Sequence, residues 1–416
     1  GMLGSLAAPH PDWRPLMNPL AKVLLISLLL CQSTCGEARE VQGSISSKGP
    51  EAEPIKNSKE AIGQVPRWNL PATPSLEIGG AEGSEPDRLF KVQGAVLHSG
   101  LIWVSDGASK EIRAFRTDGT HVLTTGGSGE GPGEFLSLGP LIRFGEDTLV
   151  AWDNRLRRIS FLNSSGEFSR SVRVLAEAQN LSVEAVFRDG TFLATDLRPI
   201  FPRSKDLETS PFLLLRIGSD GHLLDTLGVC PGGRAARTDA SPGYAAEAFS
   251  PFTYVAEDIG GYWVGTGESP ELRRFDPSGE LVKTVLWEAD DRTVRPEHRS
   301  ALFERQLSKV AEEEARRALR RLQSETPVAN EFPAHASILV DKADRLWVKT
   351  YRRPTDQGPD SWLIFEENGS VIAQVEVPSE FRLLDAGEGF VLGVRRDELD
   401  VERIQLFTIS VESSSH

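Results

Sequence analysis

Three side chains that follow apolar runs have the types that bind a divalent cation. Asp106 and Asp153 each close such a run, and Asn154 comes directly after the second one. Carboxylate and amide oxygens are the ligands that Ca²⁺ prefers. If the two runs are equivalent strands of a repeated fold, Asp106, Asp153 and Asn154 form a candidate metal site. A structural role is the alternative, because an Asp at this place commonly accepts backbone hydrogen bonds from the next turn.

Four arginines belong to or adjoin the same class of loop and suggest binding of an anion. They are Arg155, Arg157, Arg352 and Arg353. A guanidinium group binds carboxylate or phosphate through two parallel hydrogen bonds. With the three residues above, these arginines make up the candidate ligand-binding set. Surface ion pairing is the other interpretation, since the chain is acidic, with a net charge of −14.

The common signatures of hydrolytic and redox catalysis are missing from the sequence. It contains no G-x-S-x-G, no phosphate-binding loop, no H-E-x-x-H and no C-x-x-C. None of the 7 histidines is spaced as a pair of metal ligands. We therefore assign no catalytic residue, and the interpretation favours a protein without enzymatic activity.

A repeated pattern of short strands must position the candidate residues. In the clearest unit, Trp103-Val104 ends one strand, Ile112 and Phe115 mark the next, and Asp118-Gly119 forms a hairpin. The pattern recurs without gaps after shifts of 47 and 160 residues, and three more times with insertions. Four short antiparallel strands in a period of roughly 40–50 residues are typical of a β-propeller blade.

The number of units and a spare strand define the predicted fold. The sixth unit lacks its fourth strand, whereas a spare strand, Ser75 to Ile78, precedes the first unit. We therefore predict an all-β, six-bladed β-propeller that the N-terminal strand closes, since closure removes exposed sheet edges. The predicted domain covers residues 67–412.

Insertions interrupt the pattern around the third blade and between the fourth and fifth. The stretches 198–210 and 230–250 are long loops rich in Pro, Gly and Ala, and such loops commonly carry function. Apolar residues recur every three or four positions within 296–324, which predicts one inserted amphipathic helix. This helix either packs on the propeller as a lid or serves as a docking helix for a partner.

The N-terminal residues are predicted to lie outside the domain. Residues 1–38 contain the apolar run VLLISLLL, which is too short to span a bilayer and indicates a signal peptide. A short anchor or a non-native leader is the alternative, and Cys31 and Cys35 also suggest a lipid anchor. Residues 39–66 are polar and predict a disordered tether. We therefore expect an exported protein that lies in the periplasm or outside the cell. A lipoprotein is the further alternative.

The amino-acid composition limits the kinds of molecule that the protein is expected to bind. A sequence pI of about 5.1 argues against nucleic-acid binding, which needs clustered Lys and Arg. We expect a monomer that binds no nucleic acid. A lipid anchor would be its only contact with a membrane. No cofactor is expected except, under the metal interpretation, Ca²⁺ or another divalent cation.

With this pattern and the loop Gly127 to Phe135 in view, the chain resembles NHL-repeat and TolB-like six-bladed β-propellers. It is most similar to bacterial secreted propellers with a GxGxGPGEF loop, and the resemblance covers roughly residues 68–409. That group implies binding or scaffolding. Related six-bladed lactonases hold a divalent cation at the axis with Glu, Asn and Asp.

The sequence thus predicts an exported scaffold that binds a small molecule or a protein on its loop-rich face. The alternative is a divalent-metal-dependent hydrolase of lactonase type that uses axial carboxylates. Under this alternative, the carboxylates of Asp106 and Asp153 and the amide oxygen of Asn154 hold the metal.

Overall fold

The structure is a computed structural model that describes residues 53–80, 85–397 and 400–411. The predicted signal peptide, the two leader cysteines and the first part of the predicted tether lie outside the described residues. The described residues form six β-sheets, each with four to six strands. They are the six blades of an all-β propeller, as the repeat predicts.

Short elements precede the first blade. They are β1 (Ile55–Asn57), α1 (Lys59–Gln64), β2 (Arg67–Asn69), β3 (Leu76–Ile78) and a 3₁₀ turn (Glu85–Asp87). Blade 1 contains β4 (Val92–His98), β5 (Leu101–Asp106), β6 (Glu111–Arg116) and β7 (His121–Gly126). Blade 2 contains β8 (Leu138–Phe144), β9 (Thr148–Asp153), β10 (Arg158–Asn163) and β11 (Phe168–Arg173).

The next two blades include the longest strands. Blade 3 contains β12 (Leu181–Val186), β13 (Phe192–Leu197), β14 (Glu208–Ile217), β15 (Leu223–Arg237) and β16 (Tyr244–Ala246). Blade 4 contains β17 (Tyr254–Asp258), β18 (Gly261–Gly265), β19 (Glu271–Phe275) and β20 (Leu281–Trp287). Two helices follow blade 4, namely α2 (Pro296–Ser308) and α3 (Glu313–Glu325).

The remaining strands complete the ring. Blade 5 contains β21 (His335–Val340), β22 (Leu346–Thr350), β23 (Asp360–Phe365) and β24 (Val371–Val377). Blade 6 contains β25 (Phe381–Gly387), β26 (Phe390–Arg396) and β27 (Glu402–Thr408), and β28 (Ser410–Val411) follows it. Within each blade, consecutive strands pair antiparallel. The first strands of neighbouring blades contact one another, as β4 contacts β8 and β17 contacts β21, so the first strand of each blade lies nearest the axis.

The N-terminal strand closes the ring as predicted. β3 pairs antiparallel with β27, with Ile78 opposite Ile404 and Leu76 opposite Leu406. Blade 6 thereby gains its fourth strand from the other end of the chain. Because each blade buries its apolar face against a neighbour, this closure leaves no unpaired blade interface to solvent.

The prediction of a disordered tether is wrong for its described part. β1 pairs in parallel with β20 of blade 4, and β2 pairs in parallel with β24 of blade 5. Ile55, Ile62 and Val65 pack against the apolar core between these blades. The segment is too short to display a periodic pattern, and its order comes from the two blade edges that it covers.

The predicted helical insertion exists, but it is a hairpin of two helices rather than one helix over 296–324. The second helix begins at the run of acidic residues 312–314, and negative side chains stabilise a helix N-terminus. The Arg316 guanidinium donates to the Leu307 and Val310 carbonyls at 3.0 and 3.1 Å, which holds the turn. Sequence periodicity continues across this turn and therefore conceals it.

Candidate functional site

The loops of the propeller divide between two faces. Each blade places the connection between its second and third strands, and its crossover to the next blade, on one face, which we call the insertion face. The short hairpins lie on the opposite face, which we call the turn face. The long loops of blade 3 and the helical hairpin all lie on the insertion face.

Backbone pairing holds the insertions together above blades 3, 4 and 5. The Ala248 N–H donates to the Pro327 carbonyl at 2.8 Å, and the Ala329 N–H donates to the Ala248 carbonyl at 3.0 Å. The rings of Phe249 and Phe332 make edge contact with centroids 4.9 Å apart. Crossovers that are about 80 residues apart in sequence thus form one continuous structure.

The helical hairpin packs on this structure. The His298 ring of α2 contacts Phe332 with centroids 4.9 Å apart, and Leu302 packs against the same small core. This arrangement agrees with the interpretation of the helical insertion as a lid.

The insertions line a half-open cavity of about 370 Å³, which we call the insertion-face cavity. Its volume lies in the range of sites for small molecules. Apolar atoms of the crossovers form part of the wall, and charged and polar side chains form the rest. The polar residues in the wall are Arg234, Glu247, Glu268, Arg292, Asn330 and Glu331.

The two arginines in the wall differ in their partners. Arg234 Nε donates to Glu247 Oε2 at 2.7 Å, and the Glu247 side chain is only 3% exposed. Arg292 NH2 donates to the Glu268 carbonyl at 2.9 Å and pairs with the Glu331 carboxylate. The Glu331 side chain is 63% exposed, so burial fixes the first pair much more firmly than the second.

A buried histidine supports the base of this site. His335 Nε2 accepts the Gly267 N–H at 3.1 Å, and Gly267 lines the cavity. Burial, with a smaller contribution from the positive charge of Arg292, lowers the pKa of His335 to about 3. The ring is therefore neutral and carries its proton on Nδ1, and it positions the loop at Gly267.

The structure places the carboxylates of the predicted metal site in backbone turns. Asp153 accepts the N–H groups of Leu136, Ser137, Arg155 and Leu156 at 2.7–3.1 Å. Asp106 accepts those of Phe90 and Ala108 at 3.2 and 2.9 Å. Both carboxylates are fully buried, and each ties its own blade to the preceding crossover. Asn154 is half-buried beside Asp153.

The four predicted arginines divide between two blades that lie three positions apart in the ring. Arg155 is exposed, whereas the Arg157 guanidinium donates to the Ala176 and Ala178 carbonyls of the next crossover. In blade 5, Arg352 lies 3.9 Å from the Asp360 carboxylate. The structure therefore does not assemble these arginines into one anion site.

Arg353 is the member of this predicted set that reaches the edge of the insertion-face cavity. Its NH2 group donates to the Asp291 carbonyl at 2.5 Å, next to Arg292 in sequence. Its guanidinium also lies 5.9 Å from the centre of the Phe332 ring, which lines the cavity.

A second charged cluster lies near the turn-face ends of the innermost strands, and sequence reasoning missed it. Arg143 NH1 of blade 2 pairs with Asp385 Oδ1 of blade 6 at 2.6 Å across the channel. Four further blades contribute residues whose charges interact with that of Arg143, and together with Arg143 they form what we call the axial cluster. They are His98, Glu257, Lys342 and Asp385.

Burial and mutual charge interactions shift the pKa values of residues in the axial cluster. Burial raises the pKa of Glu257 to about 8, and the neighbouring charges of Glu184 and Asp258 act in the same direction. Burial also raises the pKa of Asp385, while Arg143 opposes this change. Burial lowers the pKa of His98 and of Lys342, and Arg143 contributes to both shifts. Charged residues in otherwise apolar first strands, such as LIRF and YVAED, are the sequence signal for this cluster.

No group of three or more His, Cys, Asp or Glu side chains in the described part of the chain is arranged to hold a metal ion. None of the helices in this same described part combines the length and apolarity needed to cross a bilayer.

Comparisons with known proteins provide likeness in structure only. No protein-family model matches the chain, and no curated protein matches its sequence. Among solved structures, a member of the DUF4221 family from Bacteroides vulgatus is 11% identical with a TM-score of 0.46, covering 84% of this chain and 100% of that chain. A protein of Bacteroides fragilis provisionally named as exported is 13% identical with a TM-score of 0.45, covering 86% and 99% respectively.

An enzyme is also among the similar structures. Virginiamycin B lyase from Staphylococcus aureus is 12% identical with a TM-score of 0.40, and the match covers 82% of this chain and 99% of the lyase. At this level of similarity, no activity is transferred from any of these proteins to the present chain.

Proposed function

We propose that this protein is an exported binding protein whose ligand occupies the insertion-face cavity. The observation that carries the proposal is the convergence of separate insertions on one cavity. Residues 207, 234, 247, 267, 292 and 328–332 come from distant parts of the sequence, yet they line the same space. A propeller needs none of these insertions to close its ring, and long ordered loops on a rigid scaffold commonly carry function.

Exposed apolar side chains beside the cavity support the proposal. The Phe201 side chain is 76% exposed and contacts the ring of Tyr244 in an edge arrangement. Leu207, which is 43% exposed, lies at the end of the same loop and lines the cavity. Small-molecule sites commonly combine apolar side chains with a few polar groups that fix the orientation of the ligand. Leu207, Val328 and Phe332 form the apolar part of this wall.

A fragment screen with hydrogen-exchange mapping of the purified protein tests the proposal. We expect bound fragments to protect the segments that line the cavity, around 204–208 and 328–332. The variant Leu207→Trp narrows the opening and is expected to weaken these fragments by about tenfold. Leu224→Trp is the matched control, because Leu224 is also exposed but does not line the cavity.

Two results would contradict the proposal. One is fragment protection confined to the turn face or to the axial cluster. The other is equal binding by the protein, Leu207→Trp and Leu224→Trp.

The leader supports the exported location. Its basic residue, apolar run and small residues are the pattern of a signal peptide. We propose export as a monomer from a bacterial cell and membership of the NHL-repeat or TolB-like group. Cell fractionation tests export: removal of residues 1–38 should retain the protein in the cytoplasm, and export without them would refute the proposal.

The alternative of a lactonase-type metal hydrolase gains no specific support from the geometry. The oxygens of Asp106 and Asp153 already accept backbone N–H groups, which would compete with a cation. The Asp385 carboxylate in the channel pairs with Arg143. A binding protein therefore remains the proposed function.

A further inference from the structure

Arg292 uses its hydrogen-bonding capacity incompletely. Its NH2 group has two acceptors, the Glu268 carbonyl and the Glu331 carboxylate. Its NH1 group is buried and has no partner among the described residues. The Arg292 side chain is 17% exposed, so solvent reaches only a small part of it. A buried donor without an acceptor costs free energy, so an acceptor such as a bound water, an ion or a ligand is expected at this place.

The carboxylate that pairs with Arg292 is easily displaced. Glu331 has a side chain that is 63% exposed, and the described hydrogen bonds of its carboxylate lead only to Arg292. Swinging this side chain into solvent would free Arg292 without breaking a buried contact. Glu247 differs from Glu331, because its carboxylate is buried and cannot leave Arg234 for solvent without exposing a buried ion pair.

We propose that the insertion-face cavity binds a small molecule with a carboxylate group, which replaces Glu331 on Arg292. A planar carboxylate can accept from both terminal nitrogens of a guanidinium, and would therefore give the NH1 donor its acceptor. The apolar body of the molecule would lie against Leu207, Val328 and Phe332. This inference rests on the proposed function and adds the chemical class of the ligand.

The charge of the cavity favours a carboxylate over a phosphate. Arg234 and Glu247 neutralise each other as an ion pair. The remaining carboxylate of Glu268 in the wall repels a dianion more strongly than a monoanion. One guanidinium with one free donor matches one negative charge.

Ligand-observed NMR titrations with phenylacetate, hexanoate and inorganic phosphate test the inference, with phenylacetamide as the uncharged match. We expect the two carboxylates to bind with dissociation constants in about the millimolar range, and phosphate and the amide to bind at least about tenfold more weakly. Arg292→Gln should reduce carboxylate binding by about tenfold or more. Glu331→Gln should strengthen it by about threefold or more, because the internal competitor is removed.

Variants of an unrelated ion pair serve as controls. Arg395 and Glu380 form an exposed pair at 3.1 Å on blade 6. Arg395→Gln and Glu380→Gln should leave binding of phenylacetate unchanged within about twofold. If Arg292 had a purely structural role, Glu331→Gln would leave carboxylate binding unchanged or weaken it instead of strengthening it.

The outcomes separate this inference from the proposed function. Equal binding of phenylacetate and phenylacetamide in the cavity would refute the carboxylate inference and leave the binding function in place. No binding of either carboxylate at about 10 mM would also refute the inference, while the fragment screen still tests the function. Carboxylate binding that maps to the turn face would refute both.

Discussion

The two halves of the ring use similar charged residues for different purposes. Blades 6, 1 and 2 have short connections, and their loop carboxylates accept backbone N–H groups, as Asp106 and Asp153 do. Blades 3, 4 and 5 carry the insertions, and their carboxylates pair with arginine side chains around a cavity. A carboxylate that caps a turn is saturated by the fold, whereas an exposed carboxylate that pairs with an arginine, as Glu331 does with Arg292, can be exchanged for a ligand.

The same strand position shows this difference directly. Asp196 of blade 3 still accepts the N–H groups of Gln179 and Asn180, but it also pairs with Arg198 at 2.9 Å. Blades 4 and 5 have Thr266 and Thr350 at the related positions. The capping role therefore weakens where the insertions begin.

The largest expected effect comes from removing a turn cap in the regular half. Asp153→Ala leaves four backbone N–H groups without their acceptor, and we expect a loss of about 3 kcal/mol in the free energy of unfolding. Asp106→Ala removes two such bonds and should cost about half as much. Urea unfolding measures both. A loss for Asp153→Ala no larger than that for Glu331→Gln would contradict the division between the halves.

The segment 55–69, which we call the N-terminal strap, pairs with blades 4 and 5 and provides the second comparison. Asn57 is buried and donates to the Leu286 and Gly369 carbonyls while it accepts the Val371 N–H. Asn57→Ala should therefore lower the free energy of unfolding by about 2 kcal/mol. Glu60→Gln on the exposed helix is the control and should have little effect. Equal stability of the two variants would instead support the predicted disordered tether.

The axial cluster predicts a pH dependence. Glu257 has a pKa of about 8 in the folded protein, whereas an unperturbed glutamate, as in the unfolded chain, has a pKa of 4.5. Between these values the folded state holds a proton that the unfolded chain has lost, so stability decreases as pH rises through this window. The effect should be on the order of 1 kcal/mol, since Glu257 is only half-buried.

Melting temperatures measured from pH 5 to pH 9 test this prediction. Glu257→Gln should remove the decline, because glutamine does not titrate, while Glu367→Gln on the turn face should retain it. An identical pH profile for the protein and Glu257→Gln would show that another group is responsible.

The smallest expected effect concerns metal ions. Because backbone donors occupy the carboxylates of Asp106 and Asp153, EDTA, Ca²⁺, Mn²⁺ or Zn²⁺ should change the melting temperature by less than about 1 °C. A rise of several degrees with one ion, which Asp153→Asn abolishes, would restore the interpretation of a metal-dependent hydrolase.

Much of the fold could be predicted because its signals are local. The strand around Trp103 and the Asp118-Gly119 hairpin form a recognisable repeat, and five of the blades repeat the same type of hairpin. The helical hairpin was predicted in part, since Leu302 and Leu322 follow a helical period that the turn at 309–312 does not disturb. The strap at 55–69 was missed because only the edges of two distant blades give it order.

The candidate site was less accessible to prediction. The sequence pattern indicated Asp153 as a metal ligand because it ends a strand. An Asp is common at that place in any case, because its carboxylate accepts backbone N–H groups of the following turn. Arg292 and Glu331 lie in irregular crossovers, where no periodic pattern identifies them. Residue type and spacing cannot indicate which arginine has a free donor.

The sequence by itself determined the blade architecture, its closure by the strand at Leu76–Ile78 and the positions of the insertions, because hairpins and strand alternation are local and repeated. Only the tertiary structure decided which charges are satisfied and which remain available for a ligand. The reason is physical: the hydrogen-bond partners of Asp153, Arg143 and Arg292 come from segments that are distant along the chain or from backbone groups that every residue has.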